Sequence, residues 1–327
     1  MGTGALLALG ALVWASADLA QLQRGLEEAP QERIALAAQD SVAGHPVQPM
    51  SAYPSFQVRS APGVDVVVHY RESPSAKANL TFVHGASSGA WAWARLFVFF
   101  GPEYNLYALS WRGHFDSAPQ PGDADSWDYV QDQLSSLSAV QARSPLPTHV
   151  IAHSYGAATA VLAAHREPQG VASMQLLAPV VPLDYSRIQS AVVPRIMPRI
   201  LSRDGPPDPL APAEQPFAGM FVDQQQMQKI WVDHAGQTYS VESPLLIAQD
   251  GVSPQWQGQL KQAYESLKMP VFFLTARYDN VVVPRRQHTL AQSIQAPLVE
   301  LESGHYLPLD VAWQQTAEQI QANLESL

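Results

Sequence analysis

Residues Thr148-His149-Val150-Ile151-Ala152-His153-Ser154-Tyr155-Gly156-Ala157-Ala158 run from an apolar stretch, through a serine set between small residues, into an alanine-rich segment. This reads as a strand, a tight turn and a helix, with the pattern small-x-Ser-x-Gly at the turn. Such a turn forces the serine into a strained backbone conformation, and the positions two before and two after it must be small for the neighbouring chain to approach. Ala152 and Gly156 meet that need. The turn lifts the Ser154 hydroxyl above the strand end and leaves the Tyr155 N–H at a helix N-terminus, where it can donate to a developing oxyanion. The same residues also fit a serine capping an ordinary helix. What favours a nucleophile is the pattern around them.

Outward from this segment, short β-branched or aromatic runs alternate with longer helical stretches. Phe56 to Arg59 and Val64 to Tyr70 flank Ala61-Pro62-Gly63, a turn signal, and read as an antiparallel hairpin. Candidate buried strands follow at Asn79 to Val83, Leu106 to Trp111, His149 to His153, Met174 to Pro179 and Val271 to Thr275, with helices at Trp127 to Arg143, Gly156 to His165 and Val311 to Leu327. The alternation predicts an α/β fold with a mostly parallel central sheet and helices on both faces. About 90 residues separate Pro179 from Pro270, far more than a crossover needs. They are rich in proline and in large apolar groups, among them Ile196, Met197, Phe217, Met220, Phe221, Ile230 and Trp231, which predicts a helical cap inserted after the sixth strand. The expected division is an N-terminal apolar helix and linker (1–54), a core (55–182 and 268–327) and a cap insertion (183–267).

Composition narrows the chemistry. The 327 residues are 46% hydrophobic and 15% charged, which suits a compact soluble protein with room for a large core. A formal charge of -10 and the absence of a long basic run argue against nucleic acid as a partner. With no cysteine, disulfides, thiolate metal sites and cysteine nucleophiles are all removed. No histidine cluster has the spacing of a metal site, and no cofactor is expected. The apolar run Gly4 to Ala17 is too short for a comfortable bilayer span, so no firm membrane anchor is expected. It ends in Ala15-Ser16-Ala17, an A-x-A-like site, but no basic residue precedes it. An amphipathic or core-covering helix through Leu19, Leu22, Leu26, Ile34 and Leu36 is preferred to a cleaved signal, and a cytoplasmic location to export. An interfacial helix that brings the site to lipid is a further option.

Several segments in order resemble the α/β-hydrolase fold family, in its serine-hydrolase branch of esterases and monoacylglycerol lipase- or lysophospholipase-like members. The likeness covers roughly Ser55 to Leu327. Leu80-Thr81-Phe82-Val83-His84-Gly85-Ala86-Ser87-Ser88-Gly89 looks like the family's His-Gly loop after the third strand, which implies Ala86 as the second oxyanion N–H beside Tyr155. Leu109-Ser110-Trp111-Arg112-Gly113-His114-Phe115-Asp116-Ser117 resembles its Asp-x-Arg-Gly-x-Gly-x-Ser loop, with Ser110 in place of the aspartate and Phe115 in place of the second glycine.

A serine hydroxyl is a weak nucleophile that needs a base, and the base needs an acid to hold its tautomer. The family orders these as Ser, Asp, His. By resemblance, the run Val271 to Pro284 carries the acid at Asp279, one residue further from the Val-Pro pair than is usual, and Ser303-Gly304-His305-Tyr306 carries the base at His305. Asp184, just after the preceding strand, is the competing acid. His84 and His153 are read as loop-shaping residues, and His114 as bordering the pocket.

The implied chemistry is acyl transfer through Ser154, His305 and Asp279, with an acyl-enzyme intermediate. The apolar insertion points to a small-molecule ester with an apolar acyl group. The same triad would equally serve amide or peptide cleavage, carbon–carbon bond hydrolysis or acyl transfer to an alcohol. A non-catalytic small-molecule-binding homologue is the alternative of a different class. Neither acyl length nor oligomeric state is legible.

Overall fold

The computed structural model describes residues 41–42, 44–86, 88–118, 124–182, 253–279 and 281–327. The expected N-terminal helix, Asp184 and the apolar positions of the insertion from Ile196 to Trp231 lie outside the described residues.

Among the described residues, eight strands form the main sheet: β1 (Ser55–Ala61), β2 (Val64–Arg71), β3 (Ala78–Val83), β4 (Tyr104–Ser110), β5 (Thr148–His153), β6 (Ser173–Leu177), β7 (Val271–Ala276) and β8 (Leu298–Leu301). Their order across the sheet is β8-β7-β6-β5-β3-β4-β2-β1. β1 pairs antiparallel with β2, and β2 antiparallel with β4; the remaining neighbours are parallel. The antiparallel start follows from the turn at Gly63, whose φ of 77° suits a residue without a Cβ. The inner strands are buried on both faces, which is why β3 reads Ala-Asn-Leu-Thr-Phe-Val without a solvent side.

Alternate residues on each strand feed two separate cores. On one face, Val83, Tyr107, Leu109, Val150 and Ala152 pack under helices α2 (Ser126–Arg143), α3 (Tyr155–Arg166) and α4 (Pro254–Ser266). On the other, Leu80, Phe82, Leu106, Ala108, Ile151 and Leu274 pack under α1 (Ala94–Phe99) and α6 (Trp313–Glu325), with α1 preceded by the short helical turn Ala90–Trp93. This two-sided burial is the period-2 consequence of the pleat. None of the described helices is long and apolar enough to cross a membrane.

The structure differs from the sequence reading in three places. Helix α4 was expected within the insertion, with the core resuming at 268. Instead Trp256, Leu260, Ala263 and Tyr264 are buried in the core beneath α3, Trp256 stacks on Tyr155 with ring centroids 6.0 Å apart, and the Tyr264 hydroxyl donates to the Val180 carbonyl at 3.0 Å. The spacing of those four residues is one face of a helix, and that face belongs to the sheet. Strand β8 falls where the sequence pattern indicates a loop, because Leu-Val-Glu-Leu is short, lies at the sheet edge and shows no clean alternation. Helices α1 and α5 (Pro284–Ser293) were not anticipated: α1 is one aromatic-rich stretch of six residues, and α5 buries only Pro284, Gln287 and Ala291.

The loop after β4 shows how its two departures from the family pattern are absorbed. Phe115 has φ 50°, the left-handed conformation that a glycine would adopt without strain. Ser110 still accepts a backbone bond, from the Ala90 N–H at 3.2 Å. Arg112 is buried and bonds to both Asp132 and Asp128, each at 2.6 Å. Asp132 is itself fully buried, so its charge depends on this partner. Arg112→Met is expected to lower the unfolding free energy in urea by about 3–5 kcal/mol. The double change Arg112→Met with Asp132→Leu, which removes both charges, is expected to recover most of that loss.

Candidate active site

The parallel strands deliver their C-terminal ends to one edge of the sheet, and the chemistry-bearing loops leave from that edge. Ser154 stands between β5 and α3 with φ 54° and ψ -121°. For a residue with a Cβ this conformation costs about 1–3 kcal/mol and persists only where the surroundings over-determine it. Here they do. The Ser154 N–H donates to the Leu177 carbonyl at 2.9 Å, and the Ser154 carbonyl accepts from the N–H groups of Ala157 and Val180, both at 3.1 Å. Gly156 is required by contact: a Cβ there would lie 2.1 Å from the His84 carbonyl oxygen. Gly85 is pressed in the same way, since its Cβ would lie 2.8 Å from His153 Nδ1 and 3.0 Å from Ser154 Cβ. The loop that carries Ala86 is thereby held against Ser154. Tyr155 is the first residue of α3, which puts its N–H at the positive end of the helix.

The structure brings Ser154, His305 and Asp279 together. The Ser154 hydroxyl donates to His305 Nε2 at 2.8 Å, and His305 Nδ1–H donates to Asp279 Oδ2 at 2.8 Å. All three are buried, with exposures of 7%, 1% and 2%. The second carboxylate oxygen of Asp279 accepts from the N–H groups of Val281 and Val282, both at 2.8 Å. Both oxygens are thus engaged, and the carboxylate plane is fixed toward the imidazole. Asp279 follows β7 and His305 follows β8, so the two residues come from adjacent strands of the sheet.

The neighbouring histidines are held for other work. His84 donates from Nδ1 to the Gly85 carbonyl at 2.7 Å and accepts at Nε2 from the Trp111 N–H at 3.2 Å, so both nitrogens are bonded to backbone. His153 donates from Nε2 to the His305 carbonyl at 2.9 Å and packs its ring 4.9 Å from that of His305. Burial drives both well below the usual imidazole range, with further lowering from His114 beside His84 and from His305 beside His153. Both shape loops in their neutral forms. His114 lies in an aromatic cluster with His84, Trp111 and Tyr129 and bonds to the Arg112 carbonyl at 2.9 Å.

Sequence reasoning passed over Asp310. It is buried, and its Oδ2 accepts from the Gly304 N–H at 2.7 Å and the Ser303 hydroxyl at 3.1 Å. The signal available was an acid at the end of the apolar run Tyr306-Leu307-Pro308-Leu309. Among the described residues, no group of three His, Asp or Glu is placed to hold a metal ion.

The family model for serine aminopeptidases of the S33 type matches residues 74–305, a span that includes Ser154, Asp279 and His305. The chain belongs to this S33 family. Its α/β-hydrolase fold is shared by the esterase of Exiguobacterium antarcticum, at TM-score 0.65 and 15% identity over 83% of this chain and 100% of that one. The enol-lactonase of Burkholderia xenovorans LB400 matches at TM-score 0.64 and 16% identity, with the same coverage of both chains. A curated relative, Lipase LipV of Mycobacterium tuberculosis, is 33% identical over 126 residues, or 37% of this chain. That match spans 45% of the lipase's length. This S33 protein is an α/β hydrolase with esterase- and lipase-like relatives.

The two buried neutral histidines set a pH dependence of stability. In the unfolded chain, His84 and His153 take up protons near pH 6.5, as free imidazoles do, whereas in the native state they resist protonation. The unfolded state therefore binds more protons, so stability is full above that value and is lost as the pH falls below it. Each histidine contributes up to about 1.4 kcal/mol per pH unit. Urea unfolding between about pH 7.5 and 5.5 is expected to show this decline, with a shallower slope in His153→Gln.

Proposed function

We propose that this hydrolase cleaves carboxylic esters with an apolar acyl group through an acyl-enzyme on Ser154. The reading is carried by one observation: an unbroken hydrogen-bond relay from Ser154 through His305 to Asp279, with both links at 2.8 Å and every member buried.

In this reaction Ser154 Oγ attacks the ester carbonyl carbon while His305 Nε2 takes the hydroxyl proton. Asp279, held by two backbone N–H groups, stabilises the imidazolium and keeps the Nδ1 proton in place. The backbone N–H groups of Ala86 and Tyr155 receive the negative charge on the tetrahedral oxygen. His305 returns its proton to the departing alcohol, the C–O bond breaks, and the acyl group remains on Ser154. Water then repeats the sequence with His305 again as base, releasing the acid and restoring the hydroxyl. No cofactor enters these steps.

An apolar acyl group is supported by the large aliphatic and aromatic side chains of the insertion, and by the kinship with a lipase. Peptide cleavage is the competing reading, favoured by the family's description as aminopeptidases. Both readings use the same triad and differ in the bond that is broken.

Initial rates on p-nitrophenyl esters of increasing acyl length, beside aminoacyl p-nitroanilides, separate them. The expected outcome is ester turnover that falls by about 10³-fold or more in Ser154→Ala. Faster turnover of the anilides would transfer the assignment to peptides. Asp279→Asn keeps the shape but no longer fixes the Nδ1 tautomer, and is expected to lose about 10⁴-fold in kcat. Retention of activity in Asp279→Asn would remove Asp279 from the triad.

A further inference from the structure

His305 reaches Ser154 from 151 positions away in the chain, and its loop must be fixed by contacts rather than by connectivity. On one side of the residue, His153 holds the His305 carbonyl at 2.9 Å. On the other lies Asp310. Its side chain is 1% exposed, and Oδ2 turns back to accept from the Gly304 N–H at 2.7 Å and the Ser303 hydroxyl at 3.1 Å, the two residues immediately before the base. The backbone of Asp310 is tied into the same turn, since its N–H donates to the Tyr306 carbonyl at 3.0 Å and its carbonyl accepts from the Trp313 N–H at 3.0 Å. A further tie comes from Arg95, which donates to the Leu309 carbonyl at 3.0 Å.

A carboxyl group is costly to bury, and one placed in a core solely to satisfy a turn could be replaced by a shorter apolar path. At this position it closes a ring of contacts that runs from Ser303 to Asp310 and back and encloses the base. We propose that Asp310 is a positioning residue for His305: it fixes the backbone that sets the imidazole within reach of both Ser154 and Asp279. The proposal rests on the serine-hydrolase reading of the site for its kinetic consequence, but not for its structural one.

Two readouts test it. Asp310→Ala and the milder Asp310→Asn are compared with wild type for hydrolysis of a p-nitrophenyl ester, with rates normalised to active sites labelled by a fluorophosphonate. The proton NMR resonance of the His305 Nδ1–H bonded to Asp279 is recorded in the same proteins. A misplacement of about 1 Å at a reacting group can cost on the order of 100-fold. The expected result for Asp310→Ala is a loss of about 10- to 100-fold in kcat with little change in KM, together with loss or shift of the low-field resonance. Asp310→Asn keeps an acceptor for the Gly304 N–H and is expected to recover part of both. If Asp310→Ala does not fold, Asp310→Asn and Ser303→Ala carry the test through the same two signals. A folded variant that keeps wild-type kcat and an unchanged resonance overturns the proposal. A wild-type protein without ester turnover would count against the esterase reading alone, because the resonance would still report whether Asp310 holds His305 in place.

Discussion

The close approach of helix α3 to the loop after β3 is the contact on which the site depends. With no side chain on Gly156, the helix can lie against the His84 carbonyl, and with none on Gly85, that loop can lie against Ser154. This contact brings Ser154 and the Ala86 segment into one layer. It also explains why Ser154 occupies a left-handed conformation: a relaxed backbone would carry the chain away from the strand axis before the helix could begin. The strain is held locally by three backbone hydrogen bonds, one to the last residue of β6 and one to the segment that follows it. The elbow is thus a product of the sheet order, since only a neighbouring parallel strand offers the Leu177 carbonyl and the Val180 N–H at that height.

Around this layer, the buried charged groups and imidazoles named above are held in partnership. Asp279 has a partner at each oxygen, His84 at each nitrogen, and Arg112 is matched by two carboxylates. In a low-dielectric interior, an unpaired member of any of these sets would cost several times what a surface polar group costs. The arrangement gives three of the histidines distinct roles. His84 and His153 are kept neutral by burial and serve as hydrogen-bond struts, whereas His305 is the one aligned with both a hydroxyl and a carboxylate.

The parts legible in the sequence are those whose physics is local. The hairpin signal at Gly63, the short apolar and β-branched runs of β3 and β5 and the small residues flanking Ser154 each express a requirement of the chain at that point. Asp279 and His305 were named through motif likeness, and their meeting at Ser154 was not visible in any local pattern. What escaped is decided by distant contacts. Helix α4 belongs to the core because Trp256 stacks on Tyr155, about a hundred residues earlier in the chain, and nothing within 254–266 announces that partner. Strand β8 is a strand because β7 offers it an edge. Phe115 adopts a glycine's conformation because the surrounding loop holds it there, which its identity would not suggest.

The placement of His305 illustrates the same division between local and distant causes. A nucleophile can be positioned by its own turn, since strand and helix fix it on both sides. A base on a loop after an edge strand has no such support, because β8 is short and half-buried and pairs on one side. Precision there has to be supplied by cross-links to other parts of the fold. His153 supplies one, from the residue adjacent to Ser154 itself, so that a shift of the elbow and a shift of His305 are mechanically linked. Arg95 supplies another, from the opposite layer of helices. A buried acid in this loop is then understandable in spite of its desolvation cost, because a charged acceptor makes stronger bonds to N–H and O–H donors than a neutral one. The least supported strand of the sheet thus carries the residue with the strictest geometric demand, and buried polar contacts make good the difference.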